Sequence, residues 1–150
     1  IILEPGRLIA ANAGILVTRV IRTKQGQAKN FMIVDAAMTE LVRPTLYGAH
    51  HDIGLVRQSK EKLLAWDVVG PVCESGDFLG LERGLPELES GDLLVVFSAG
   101  AYGAVLGSSY NTRPAAPEVL VDGARHDVVR RRPSYADMLV GEKVPDWLSS

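Results

Sequence analysis

A strand and the turn that ends it are predicted by Leu63-Leu-Ala-Trp-Asp-Val-Val69 and the residues that follow, Gly70-Pro-Val-Cys-Glu-Ser-Gly-Asp77. The first part is apolar apart from Asp67, and glycine and proline force the backbone to turn after it. The turn carries Cys73, the only cysteine of the chain, directly before Glu74. A thiol and a carboxylate on a short loop held by a rigid strand are typical of a functional site. The alternative is a structural cysteine beside a solvated glutamate.

Working outward from this turn, the pattern of short apolar or alternating runs separated by Gly and Pro predicts a mainly β protein. The predicted strands cover residues 15–23, 30–35, 53–58, 63–69, 93–97, 118–121 and 126–130, with hairpin turns near Gly26 and at Asp122-Gly123. Short helices are predicted over 7–12, 36–42 and 135–139, the last capped by Ser134. Many strands and few, short helices favour a β-sandwich or a Greek-key-like barrel.

Composition excludes several classes of function. The chain has 150 residues and a net charge of −2, so its overall charge gives no support for nucleic-acid binding. Its apolar runs are too short and too often interrupted by charge for a transmembrane helix. One cysteine permits no intrachain disulfide, which fits a reducing, cytoplasmic location. His50 and His51 are adjacent and would point apart on a strand, with no cysteine or carboxylate to complete a tetrahedral set around them, so no metal site is predicted.

Three further segments carry groups that could bind an anionic ligand. Glu4-Pro5-Gly6-Arg7 joins opposite charges at a turn, where glycine allows close approach and arginine offers a planar fork of donors. Arg43 and Tyr47 form a second pair, and Tyr102 lies in the glycine-rich Ser98-Ala-Gly-Ala-Tyr-Gly103. Each segment taken alone also fits a structural role, as a salt bridge or a tyrosine packed on a turn.

The first residues suggest that the chain is part of a larger protein. Ile1-Ile-Leu3 has no initiating methionine and predicts the end of a buried strand. We therefore expect a fragment.

Taken in order, the segments resemble one family. They are Glu4-Pro-Gly-Arg7, Arg43-Pro-Thr-Leu-Tyr47-Gly-Ala-His-His51, Val68-Val-Gly-Pro-Val-Cys73-Glu-Ser-Gly-Asp77, and Gly100-Ala-Tyr102-Gly with Tyr110-Asn-Thr-Arg-Pro114. This set resembles the C-terminal part of the diaminopimelate decarboxylases, pyridoxal-phosphate enzymes with an alanine-racemase-like fold. The resemblance implies an N-terminal (β/α)8 barrel that is absent here. Residues 1–14 would be the last barrel strand and helix, and residues 15–150 the C-terminal β domain.

The resemblance also implies an activity and a role for each site residue. The reaction would be the decarboxylation of meso-2,6-diaminopimelate to L-lysine and CO2, the last step of lysine biosynthesis. The cofactor would be pyridoxal 5'-phosphate, whose Schiff-base lysine lies outside this chain. Glu4 would lie at the pyridine nitrogen, and Pro5-Gly6-Arg7 near the cofactor phosphate. The distal substrate carboxylate would be bound by Arg7, Arg43 and Tyr47, and the distal ammonium by Glu74. Cys73 would be the proton donor, and Tyr102 would contact the phosphate and the substrate.

In this family the Cys-Glu-Ser loop completes the site of the other subunit, so the resemblance implies a homodimer with shared sites. The isolated fragment is expected to be inactive because it lacks the cofactor lysine. Two alternatives stay open: a related decarboxylase for ornithine, arginine or lysine, and a non-catalytic β module used for dimerisation.

Overall fold

A mixed, six-stranded sheet forms the body of the protein in the computed structural model, which describes residues 1–3 and 5–148. Its strands are β1 (Leu16–Gln25), β2 (Asn30–Val34), β3 (Ile53–Leu55), β4 (Leu64–Val69), β5 (Phe78–Leu85) and β6 (Leu93–Val96), in the order β3-β6-β1-β2-β4-β5. Neighbours pair antiparallel except β2 and β4, which are parallel.

The sheet curls until its two edges approach each other. β1 pairs with β6 through its first half and with β2 through its second half, and a register shift between Val20 and Arg22 bends it. At the edges, a Cβ built on Gly80 of β5 would lie 3.0 Å from Ile53 Cδ1 of β3. This nearly closed barrel, with few short helices, confirms the predicted fold class.

One apolar core fills the barrel. Trp66, Met32, Leu79 and Leu94 are fully buried in it. The indole N–H of Trp66 donates to the carbonyl of Leu85 at 3.1 Å, so this large side chain leaves no buried donor unpaired.

Asp67, the polar exception in the predicted β4 strand, is buried and explains an irregularity in β5. Its carboxylate accepts bonds from Lys29 Nζ and from the Glu82 N–H, both at 2.8 Å. Glu82 has φ +53°, in the left-handed region, and the β4–β5 register shifts beside it. Burial raises the pKa of Asp67, but the hydrogen bonds from Lys29 and Glu82 outweigh it and hold the pKa below its ordinary value.

A second sheet is the hairpin of β7 (Glu118–Asp122) and β8 (Arg125–Arg130), which turns at Gly123 with φ +60°. It confirms the hairpin predicted at Asp122-Gly123.

The helices are α1 (Gly6–Ala10), continued by a 3-10 turn over Ala11–Ala13, α2 (Arg43–Tyr47) and α3 (Tyr135–Leu139). Ser134 caps α3 and shares a reciprocal capping box with Asp137, as the sequence predicts for this helix start. None of the described helices is long and apolar enough to cross a membrane.

Several predicted elements are wrong. Residues 36–42 form turns instead of a helix, because side chains capture their amides: the N–H groups of Ala36, Ala37 and Met38 donate to Thr18, Glu40 and Asp77. The helix instead begins at Arg43, since Pro44 is favourable in a first turn, where its missing N–H costs nothing. Residues 1–3 form no strand, because no described strand lies beside them to pair with. Strand β5 was not predicted.

Candidate active site

The segment that follows α1 packs closely against the glycine-rich turn that carries Tyr102, because Gly14 and Gly100 allow the two backbones to cross. The Ala99 N–H donates to the Gly14 carbonyl at 2.8 Å, and the Gly100 N–H donates to the Ala11 carbonyl at 3.0 Å. A Cβ on Gly100 would lie 2.1 Å from the Ala10 carbonyl oxygen, so only glycine fits this contact. The predicted glycine-rich segment therefore serves first to pack backbone on backbone.

Arg7 of α1 and Arg43 of α2 line one open cleft of about 450 Å³. Pro5, Asn12, His50, His51 and Ser98 also line it. Within residues 1–3 and 5–148, neither arginine forms an ion pair. Two guanidinium groups without carboxylate partners give the cleft a positive charge that suits a carboxylate or a phosphate.

Arg43 has two neighbours that restrict it. Its Nη1 atom donates to His51 Nε2 at 3.2 Å, and its Cζ lies 6.0 Å from the centroid of the Tyr102 ring. Tyr102 is half-exposed and has φ +57°, an uncommon conformation for a residue with a side chain. Glu82 of β5 has a similar φ of +53°, so the conformation alone assigns no role, and ligand binding by Tyr102 stays a prediction.

The Cys73 loop is built around a buried carboxylate. Asp77, 4 % exposed, accepts the Val72 N–H at 2.6 Å and the Met38 N–H at 2.7 Å, and its carbonyl accepts the Gly70 N–H at 3.0 Å. Cys73 lies outside this anchor and is exposed. Asp77 thus fixes the base of the loop and leaves its tip accessible.

A second contact joins the loop to α2. The Thr45 hydroxyl donates to the Gly76 carbonyl, and a Cβ on Gly76 would lie 2.7 Å from the Thr45 methyl carbon. Thr45 lies between Arg43 and Tyr47 in the same helix. One five-residue helix therefore presents Arg43 to the cleft and supports the Cys73 loop.

The structure brings together some of the predicted site residues and separates others. Pro5, Arg7 and Arg43 share the cleft, and Tyr102 lies beside Arg43. Gly6 begins α1, and a Cβ built on it would meet nothing within 4 Å. Three residues are exposed and do not line the cleft, namely Tyr47, Cys73 and Glu74. Glu4 lies outside the described residues.

Sequence reasoning assigned no role to Thr45, His51 and Asp77, although Thr45 and Asp77 bind the Cys73 loop and His51 contacts Arg43. The adjacent histidines were considered only as metal ligands, although a buried histidine beside an arginine is also typical of a positioning contact.

Two other cavities contain none of the predicted site residues. One is a polar groove of about 910 Å³ near Arg19 and Asp92, and the other is a cavity of about 110 Å³ near Thr39 and Gly103.

Comparisons with known proteins agree with this architecture. The pattern of the family described as pyridoxal-dependent decarboxylase, C-terminal sheet domain, matches residues 8–100. The chain is 48% identical over 97% of its length to diaminopimelate decarboxylase of Archaeoglobus fulgidus, and 52% identical over 94% to that of Pseudomonas fluorescens. It covers 35% and 34% of those two proteins, so it spans about a third of the length of these curated relatives.

Solved structures show the same similarity. The crystal structure of diaminopimelate decarboxylase from M. jannaschii matches with a TM-score of 0.90 at 34% identity, covering 95% of this chain and 32% of that one. The lysine/ornithine decarboxylase of Vibrio vulnificus matches with a TM-score of 0.66 at 23% identity, over 73% and 30% of the two chains, which shows a shared fold alone. The resemblance expected from the ordered motifs is confirmed. The chain belongs to the pyridoxal-dependent decarboxylase family, of which it forms the C-terminal sheet domain.

Proposed function

We propose that this chain is the C-terminal part of a homodimeric, pyridoxal-phosphate-dependent decarboxylase that converts meso-2,6-diaminopimelate to L-lysine and CO2 in the cytoplasm. Residues 1–14 would lead from a preceding barrel into the β domain of residues 15–150. The observation that carries the proposal is a pair of guanidinium groups, Arg7 and Arg43, that line one cleft and form no ion pair with an acidic group in the described part of the chain. The identity of about 50% to relatives named diaminopimelate decarboxylase supports it.

The two arginines suit the end of the substrate that does not react. Diaminopimelate differs from lysine, ornithine and arginine, as decarboxylase substrates, in carrying a second carboxylate at its far end. Arg7 and Arg43 would bind that carboxylate. Tyr47, in α2 with Arg43 and exposed outside the cleft, would have to turn toward the carboxylate to act as a further donor. A substrate without it would leave two guanidinium groups unpaired in the cleft, which is how polar sites discriminate strongly.

The exposed turn at Pro5–Gly6 fits the phosphate of the cofactor. Space above Gly6 is open, Arg7 has no described carboxylate partner, and the Tyr102 hydroxyl belongs to a half-exposed side chain beside Arg43. Glu4 would keep the pyridine nitrogen protonated. When bound, the cofactor supplies an electron-withdrawing ring that accepts the electron pair of the breaking C–C bond.

Cys73 and Glu74 would act in the site of the other subunit. Both are exposed at the tip of a loop and neither lines the cleft of its own chain, which supports a site completed across a dimer interface. As the C–C bond breaks and CO2 leaves, the Cys73 thiol would give its proton to the carbon that held the carboxylate. A thiol can do this near neutral pH because its ordinary pKa is about 8.5. Glu74 would pair with the distal ammonium.

Turnover of the full-length protein tests the reaction. We expect CO2 release from diaminopimelate and little from lysine or ornithine, and loss of activity in Cys73→Ala and Glu74→Ala with the dimer preserved. Turnover of lysine or ornithine in preference would favour the related decarboxylases. Unchanged activity in both variants would favour a β module that serves dimerisation alone. The isolated 150-residue chain with added cofactor should give no turnover.

Mixed dimers test the shared site. Cys73→Ala and Arg43→Ala subunits should each be inactive alone. If Cys73 serves the partner, a mixture of the two contains heterodimers with one intact site, and activity should return to about a quarter of wild type. If both residues serve one subunit, mixing restores nothing.

A further inference from the structure

We infer that His51, with its proton on Nδ1, is the positioning residue that holds Arg43 ready for the substrate carboxylate. This inference rests on the proposed function. It concerns a residue that the sequence offered only as an improbable metal ligand.

His51 is held between two fixed partners. The residue is 2 % exposed, Nδ1 lies 2.9 Å from the Phe97 carbonyl oxygen, and Nε2 lies 3.2 Å from Arg43 Nη1. Phe97 directly follows β6, a central strand of the barrel. The imidazole therefore connects the rigid sheet to the guanidinium.

The two partners decide the protonation of the ring. A carbonyl oxygen can only accept a hydrogen bond, so Nδ1 carries the proton. A guanidinium can only donate, so Nε2 must be bare. A doubly protonated ring would set an N–H of His51 against an N–H of Arg43 in a buried position, and His51 is therefore neutral in this arrangement.

A neutral acceptor has one advantage over a carboxylate at this position. A carboxylate would hold Arg43 as firmly, but it would also cancel the charge that the substrate needs. His51 restricts the guanidinium and leaves its positive charge uncompensated, since no described acidic group pairs with Arg43. The Tyr102 ring, 6.0 Å away, limits the guanidinium on another side. An arginine ordered before binding loses less entropy when substrate arrives.

The competing explanation is that His51 is a core residue whose only role is its bond to Phe97. Two substitutions separate the explanations. His51→Asn retains an amide donor near Nδ1, and thus the bond to Phe97, but has no acceptor at the position of Nε2. His51→Gln extends far enough to place an acceptor near Arg43. His126→Asn, in the exposed hairpin, is the matched control.

The experiment uses the full-length enzyme with cofactor and measures kcat and KM for diaminopimelate, and the Kd of the product L-lysine by calorimetry. His51→Asn should raise KM and the lysine Kd about tenfold, near the upper end of the entropy cost of ordering one long side chain on binding, with kcat within about threefold of wild type. His51→Gln and His126→Asn should stay within about threefold. In an Arg43→Lys background, His51→Asn should add little to either constant.

Three results would overturn the inference. The first is a His51→Asn effect of the same size in the Arg43→Lys background, and the second is a folded His51→Gln protein whose KM and lysine Kd rise about tenfold or more above wild type. The second remains decisive even if His51→Asn fails to fold. The third is a wild-type enzyme that binds no L-lysine and does not decarboxylate diaminopimelate. That result removes the proposed function as well, and it is distinguishable because it appears before any substitution is made.

Discussion

Removal of the Asp77 carboxylate should loosen the Cys73 loop at its base. In Asp77→Ala, the Val72 and Met38 N–H groups lose acceptors at 2.6 and 2.7 Å on a residue that is 4 % exposed. A hydrogen bond to a charged group contributes about 1.5–3 kcal/mol. Each amide should therefore lose between about tenfold and about 100-fold of its protection against hydrogen exchange.

The assay is hydrogen exchange by mass spectrometry on the full-length protein, following peptides that contain Val72 and Met38. This measurement is local, so it does not require the whole protein to unfold in one step. Asp77→Asn should give an intermediate effect, since its amide retains one acceptor oxygen. Asp127→Ala, in the exposed β8 strand, should change neither peptide. Wild-type exchange at both peptides in a folded Asp77→Ala protein would refute the reasoning.

Three other substitutions follow from the structure. Gly100→Ala should lower the free energy of unfolding by about 1–3 kcal/mol, and with it the midpoint of thermal unfolding, because the new Cβ would lie 2.1 Å from a backbone oxygen. Gly141→Ala is the control and should leave the midpoint unchanged, since its Cβ would meet nothing within 4 Å. Thr18→Val should lower the free energy of unfolding by about 1–3 kcal/mol in denaturant titrations, because the buried hydroxyl accepts the Ala36 N–H at 2.9 Å. Equal denaturation midpoints for the variant and the wild type would contradict this. Ionised Asp67 has a lowered pKa, so it stabilises the fold above pH 3.8 and contributes less as the pH falls below that value. The difference in unfolding midpoint between wild type and Asp67→Asn should therefore be largest near neutral pH and shrink in acid; a constant difference would show that the charge has no role.

The sequence predicted strands wherever the apolar pattern was continuous or a turn was unambiguous. Strand β6 is four apolar residues, and the β7–β8 turn has Asp122-Gly123, so both could be located from the residues alone. Strand β5 was missed because Gly80, Gly84 and the charged pair Glu82-Arg83 interrupt its alternation. The interruption has a tertiary cause, since buried Asp67 on the neighbouring strand binds the Glu82 amide.

The residues of the candidate site also fall into two groups, those that the sequence could identify and those that it could not. Groups that could contact a ligand, such as Arg43 and Cys73, could be selected because the ordered motifs that contain them resemble one family, although each segment alone also fits a structural role. Groups that act through another residue could not be found, because their partners are distant in the chain. His51 lies 46 residues from Phe97, and Asp77 lies 39 residues from Met38. No local pattern encodes such contacts.

The contact between Thr45 and Gly76 has a consequence for how related sequences can diverge. The two positions are 31 residues apart, yet the methyl carbon of one occupies the space that a Cβ of the other would need. A larger residue at position 76 requires position 45 to give up its methyl group, which serine would do while keeping the hydroxyl that holds the loop to α2. The two positions should therefore covary across the family, with glycine at position 76 wherever threonine stands at position 45.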